Sequence, residues 1–227
     1  MDILNTLSLK SNRQIKINFD GGDLSSDAGL LLIQEFAAKI GFLKLIKKKF
    51  KTNDKSVRFH KDDENLMQMV YQIISAYFED DCADELTLDP VFNAILEKDR
   101  LASQPTLSRF FNRMDEDTLL QFDDIDKSLR DIIYSIKYPE HVLLDLDSTL
   151  FGTYGSQEGE GFNFHYQAHG YHPLLCYDGL TGDLLKAELR DGTLHCSNDA
   201  DKFMEPLFQE YMERGIKTYL RGDSGFS

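Results

Sequence analysis

The stretch HVLLDLDSTLFG, residues 141–152, decides how the rest of the chain folds. Val142, Leu143, Leu144 and Leu146 read as a short buried strand, and two aspartates, Asp145 and Asp147, interrupt it near its end. Residues two apart on a strand share a face, so both carboxylates point the same way. Burying a carboxylate at a strand end is unfavourable unless something compensates it, and a divalent cation with hard oxygen ligands is the usual compensation. A turn-forming aspartate is the plainer reading of either residue alone.

Downstream, GSQEGEG (155–161) reads as a flexible turn. HPLLCYD and DLLKAEL are two further strands joined by the hairpin linker GLTG. Asn198–Arg214 has helical spacing with Phe203, Leu207, Phe208 and Tyr211 on one face; Ser197 or Asn198 serves as its cap and Gly215 as its stop. IKTYLRGD is a fourth strand, and Asp223 stands just past it. Strands over 141–147, 173–178, 183–189 and 217–222 are expected in one sheet, the first three antiparallel in sequence order and the fourth parallel to the first. Asp147 and Asp223 then face each other at one rim.

Two chemistries fit such a rim. DLDSTL resembles the first motif of haloacid-dehalogenase-like phosphohydrolases, in which the first Asp attacks phosphate. The other is two-metal phosphodiester chemistry, with carboxylates holding the ions. The phosphohydrolase fold needs a helix directly after the first strand and a second downstream Asp; here a glycine-rich turn and a strand pair follow, and LRGDSGFS lacks that Asp. Strand, strand, strand, helix, strand is the order of an RNase H-like fold.

Upstream of Pro139 the texture is helical. Residues 1–20 form an extended leading segment. Apolar positions at Ala28, Leu31, Leu32, Phe36, Ala37 and Ile40 define a helix ended by Gly41. Leu66, Met69, Val70, Ile73, Ile74 and Tyr77 define a second, over 62–78. Further helices fall near 89–96, 105–114 and 116–137, the last with a stripe of Ile125, Leu129, Ile132, Ile133 and Ile136.

Net charge is -14 over 227 residues, which taken alone argues against a nucleic-acid partner, but the charge is unevenly spread. Residues 1–60 carry 11 Lys and Arg against 6 Asp and Glu, concentrated in LKLIKKKFKTNDKSVRFHK (43–61). That run is either a solvated lysine-rich surface or a patch that contacts phosphates. TLSRFFNR places Arg109, Asn112 and Arg113 close together, as a recognition helix or a plain surface helix. No apolar run approaches the ~18 residues of a membrane-spanning helix, and the first residues show no secretion signal. Three cysteines without CxxC spacing favour free thiols in a reducing compartment. His165, His169, His172 and Cys176 invite a zinc reading, but Gly170 and Pro173 rule out a helix face and strand parity separates His172 from the other two histidines; hairpin packing or DNA contact is favoured.

The chain resembles bacterial insertion-sequence transposases of the DDE type, DDE domain group one. LSSDAGLLLIQEF is similar to an N-terminal signature of that family, and AYFEDDCADELTLDPVF and LASQPTLSRFFNRMD to its central helical signatures. VLLDLDSTL, FNFHYQAHGYHPLLCYDGLTGDLLKAELRDGT and YLRGDSGFS are similar to its catalytic core. The resemblance implies DNA transposition with Mg²⁺ or Mn²⁺, terminal inverted repeats as the DNA partner, and a bacterial cytoplasmic, nucleoid-associated location. It carries the catalytic roles onto Asp147 and Asp223; these two hold the metal, with Asp145 as the alternative first ligand. DNA contacts are expected from Lys47, Lys48, Lys49, Lys51, Arg109 and Arg113. The organisation is a mostly helical DNA-binding region (1–138) followed by a partial RNase H-like catalytic domain (139–227). The family's third acidic residue, a Glu beyond the second Asp, has no counterpart: Glu205, Glu210 and Glu213 all precede Asp223. The expectation is therefore a C-terminally truncated transposase, inactive alone, that associates with intact copies or persists as a non-catalytic DNA-binding remnant.

Overall fold

The structure, a computed structural model, describes residues 6–19, 21 and 24–226. Residues 1–5 and 20 of the expected extended leading segment lie outside the described residues. The chain forms two compact units, Met1–Leu129 and Arg130–Ser227.

In the N-terminal unit, β1 (Thr6–Ser8) pairs antiparallel with β2 (Lys16–Asn18). Helices α1 (Leu30–Ile40), α2 (Phe42–Lys49), α3 (Asp62–Ile74), α4 (Cys82–Glu85), α5 (Pro90–Leu96), α6 (Gln104–Phe111) and α7 (Glu116–Ile136) follow; α7 runs on into the C-terminal unit. Gly41, at φ 77°, closes α1 in the left-handed conformation that glycine adopts without steric cost. Asp62, Asp63 and Glu64 fill the first turn of α3, where carboxylates complement the helix dipole, and the Glu64 side chain returns to the Lys61 backbone N–H at 3.0 Å. Asp89 caps α5 by accepting from the backbone N–H groups of Val91 and Phe92, both at 2.9 Å.

Leu30, Ile46, Phe50, Leu66, Tyr71, Phe92, Phe110 and Ile125 build the core of this unit. One of its polar members is paired at both ends: Gln68 donates to the Ala102 carbonyl at 2.8 Å and accepts from the Ala102 N–H at 2.9 Å. This pairing corrects the expected stripe of α3. The buried face is Asn65, Leu66, Met67, Gln68, Tyr71 and Gln72, while Ile73 and Ile74 are 55% and 50% exposed. The helix also ends before Tyr77. Likewise α1 buries Gln34 and leaves Leu32 and Phe36 outside, and on α7 Ile133 and Ile136 are exposed where Ile125 is buried.

In the C-terminal unit the main sheet comprises β3 (His141–Ser148), β7 (Leu174–Asp178), β8 (Leu184–Glu188) and β9 (Lys217–Gly222), in spatial order β8-β7-β3-β9. β3 pairs antiparallel with β7, β7 with β8, and β3 parallel with β9. This is the expected RNase H-like order, with α8 (Ala200–Glu213) between β8 and β9. Val142, Leu144 and Leu146 point to one face of β3 and are buried with Phe203, Met204, Leu207 and Tyr211 of α8. Met204 takes the core place expected for Phe208, which is partly exposed. Asp199, with positive φ and no side-chain cap bond, precedes α8 instead of a capping Ser197 or Asn198. All three cysteines are free.

Between β3 and β7 the chain does more than turn. β4 (Phe151–Gly152), β5 (Gly161–Asn163) and β6 (Ala168–Tyr171) form a second sheet, in order β4-β6-β5, that the sequence reading did not anticipate. Its construction depends on glycine. Gly161 pairs with Gly170, and Gly192 lies so close to them that an added Cβ would stand 1.9 Å from the Gly170 carbonyl oxygen and 2.7 Å from that of Gly161. The Asn163 amide donates to the Gly192 carbonyl at 2.9 Å. Arg190 secures the same loop, donating to the carbonyls of His172 at 3.1 Å and Asn198 at 2.6 Å.

Gly192→Ala forces backbone against backbone, which no rotamer change relieves, so it is expected to lower the unfolding free energy by about 1–3 kcal/mol. Gly152→Ala meets nothing within 4 Å and is expected to change it by less than about 0.5 kcal/mol. Urea denaturation of the two variants beside the unaltered chain measures both.

Candidate active site

The rim where β3 and β9 end together gathers the carboxylates. Their parallel register pairs Asp145 with Arg221 and Leu146 with Gly222. Asp147 and Asp223 each follow the last rung of this register by one residue, so they leave the two strands at the same rim. Because Val142, Leu144 and Leu146 face the core, Asp145 and Asp147 project from the opposite face. Asp147 is exposed, and its Oδ1 accepts from the Ser148 N–H at 2.7 Å; Asp223 is exposed, and its Oδ1 accepts from the Gly225 N–H at 2.8 Å.

Asp145 is placed differently. Arg221 grips it through two nitrogens, Nε to Oδ1 at 2.9 Å and Nη2 to Oδ2. The Arg221 hydrogen bonds hold the Asp145 carboxyl below the usual carboxylate range, and Asp145 in turn raises Arg221. Both oxygens of Asp145 are thus engaged within the sheet, one rung below the Asp147–Asp223 pair. The register alone could have flagged this partner: Arg221 precedes Asp223 by two residues, as Asp145 precedes Asp147.

Tyr166, in the turn between β5 and β6, is the residue at this rim that sequence reasoning missed. Its hydroxyl approaches the Ser148 carbonyl at 3.4 Å, and burial followed by the negative charges of Asp147 and Asp223 pushes its phenol up.

The histidines and Cys176 go separate ways. His169 meets Glu160 at 2.9 Å, His172 donates from Nδ1 to the Leu194 carbonyl at 2.7 Å, and Cys176 lies in the core beneath α8, its thiol pushed up to about 12 by burial. Among the described residues no group of three or more His, Cys, Asp or Glu side chains is arranged to hold a metal ion.

The expected DNA-contacting residues lie in the N-terminal unit in two sets. Arg109 and Arg113 line a cleft of about 560 Å³ together with Arg58, His60, Ser56 and Thr106. Arg58 pairs with Asp54, and Arg113 pairs with Asp62 at 2.7 Å and donates to the Arg109 carbonyl at 2.9 Å. Burial works against ionisation of Asp62, but hydrogen bonds from Thr52 and Arg113 hold its carboxyl below the usual range. Burial and the Lys98 charge lower His60. Arg109 makes no ion pair among the described residues, so it is the cation this cleft leaves open. Lys47, Lys48 and Lys51 are exposed and Lys49 pairs with Asp124 at 2.5 Å; none of the four lines the cleft. Arg58 and His60 were not among the residues singled out from sequence, although they belong to the same basic run.

No helix among the described residues is long and apolar enough to cross a membrane. No curated protein matches the chain. Among solved structures, the chain is similar to a piggyBac transposase in a cryo-EM synaptic complex with hairpin DNA, with 14% identity and a TM-score of 0.37; the match covers 81% of this chain and 46% of that one. The family model for the transposase DDE domain, group 1, matches residues 7–227, nearly the whole sequence, and the chain therefore belongs to that family.

Proposed function

We propose that this chain is the DNA-processing part of an insertion-sequence transposase, acting by metal-dependent strand cleavage and transfer at terminal inverted repeats. The observation that carries the reading is the adjacency of Asp147 and Asp223 at the ends of two parallel strands. Each uses one carboxylate oxygen to fix its own turn, and among the described residues no partner takes the other. Two like charges this close repel, and a divalent cation relieves that repulsion. The donor set, hard oxygens on an open rim, suits Mg²⁺ or Mn²⁺. Such an ion, when bound, would activate the attacking oxygen and stabilise the leaving one. The residues themselves supply position: core packing of β3 fixes which face Asp147 occupies, and strand pairing fixes Asp223 beside it. Asp145, already engaged by Arg221, acts in this reading as a support of the rim.

The basic cleft and the exposed lysines of α2 supply phosphate contacts in the same reading. Neutralising phosphates releases counterions, so affinity falls steeply with salt. The nucleoid is the location such a partner implies, and association with further copies of the transposase belongs to the same proposal.

Manganese binding by calorimetry is expected for the chain and expected to vanish in Asp147→Asn combined with Asp223→Asn, while Asp145→Asn retains it. Nicking of a supercoiled plasmid carrying the element's ends is expected to be weak, because two carboxylates supply fewer ligands than two-ion chemistry uses, and absent in the double variant. Metal binding that survives the double substitution would remove the basis of the assignment.

Fluorescence anisotropy with duplex DNA tests the basic residues. Affinity is expected to drop as salt rises, and Arg109→Ala is expected to weaken binding across sequences and to reduce the salt slope by about one. Binding indifferent to salt, or unchanged in Arg109→Ala, would exclude Arg109 as a phosphate contact.

A further inference from the structure

The small sheet has two unlike faces. One carries Gly161 and Asn163 and is covered by the loop through Gly192. The other carries Phe162 and His169, partners across β5 and β6, and Phe151 and Tyr171, partners across β4 and β6. Phe164 extends it. Three of the rings touch: Phe162 stands 5.2 Å from Phe164 and 5.3 Å from His169, centroid to centroid. Phe151 is 50% exposed, Phe162 37% and Phe164 84%.

This aromatic face is rigidly backed yet covers no core of its own. Residues 149–173 hold six Phe and Tyr and three His but no Lys or Arg, so the face offers nothing to the phosphates of a duplex. It offers ring surfaces, on which unpaired bases of any sequence stack; sheet faces with aromatic side chains bind single-stranded nucleic acid in this way. The small sheet is also tied to the carboxylate rim by the chain itself: β4 begins four residues after Asp147, and the hydroxyl of Tyr166, in the turn that joins β5 to β6, approaches the carbonyl of Ser148, next to Asp147, at 3.4 Å.

We propose that the face formed by Phe151, Phe162, Phe164, His169 and Tyr171 is a stacking platform for unpaired DNA bases next to the phosphodiester held at Asp147 and Asp223. The proposal rests on the DNA-processing reading above and adds to it a preference for frayed or single-stranded nucleotides beside the reacting bond.

The test uses the 227-residue chain and a DNA duplex carrying a short single-stranded flap with 2-aminopurine in the flap, beside the same duplex with the fluorophore fully paired, both with Ca²⁺ present. Saturable quenching is expected for the flap and not for the paired probe. Phe162→Ala combined with Phe164→Ala is expected to abolish the quenching and to weaken flap binding about tenfold, with duplex affinity unchanged; Phe162→Tyr with Phe164→Tyr is expected to restore both. Phe164→Ala alone removes a ring that is almost wholly exposed, so its partial loss of quenching separates stacking from any folding defect of the double variant. Undiminished quenching in the double alanine variant, or equal quenching of paired and flap probes, overturns the platform while leaving the DNA reading in place. Absence of binding to either DNA overturns the DNA reading and the platform with it. If the alanine variants instead abolish self-association in sedimentation and the flap gains no preference, the face joins two copies of the chain and the platform is wrong.

Discussion

The parallel pairing of β3 with β9 is the interaction on which the candidate site depends. The two strands come from opposite ends of the C-terminal unit and meet in a register that sets Asp145 beside Arg221 and Leu146 beside Gly222. What holds that register is the core face. Val142, Leu144 and Leu146 are buried with α8, and a slip of one residue would send Asp145 and Asp147 into the core in their place. Burying two unpaired carboxylates is far more unfavourable than losing a few apolar contacts. Hydrophobic packing on one face thus enforces carboxylate convergence on the other.

That convergence works against electrostatics, and the surroundings show how it is sustained. One rung below the pair, Arg221 neutralises Asp145, so the strand ends do not carry three bare negative charges in a row. At the pair itself, each aspartate is oriented by a backbone N–H of its own turn. The β3–β9 ladder and these turn bonds together set where the two carboxylates stand.

The helical unit and the small sheet show the same reliance on specific polar or close contacts. Gln68 belongs to the core of the N-terminal unit because Ala102, distant in sequence, satisfies both ends of its amide. Asp62 gathers Thr52 and Arg113 around a carboxylate whose pKa burial alone would raise. In the small sheet the absence of side chains at Gly161 and Gly192 is what lets two backbones touch, and this leaves the aromatic side chains on the opposite face.

The sequence by itself determined the four strands of the main sheet, their directions, the helix between the third and fourth, and the placing of Asp147 and Asp223 at neighbouring strand ends. Those features follow from local pattern: alternation, hairpin linkers, and strand-end aspartates. The tertiary structure alone decided three others. It chose the buried face of α3, where Gln68 pairs with Ala102 across 34 residues while Ile73 and Ile74 of the expected stripe stay exposed. It made a sheet of strands two to four residues long, too short to show a period, held by a glycine contact to a loop that follows β8. It also took both oxygens of Asp145 with Arg221 and left Asp147 open: the expected register sets Arg221 opposite Asp145, but DLD does not record that the guanidinium closes on both carboxylate oxygens. Hydrophobic periodicity records that a face is buried; it does not record the distant polar partner that makes another face cheaper to bury.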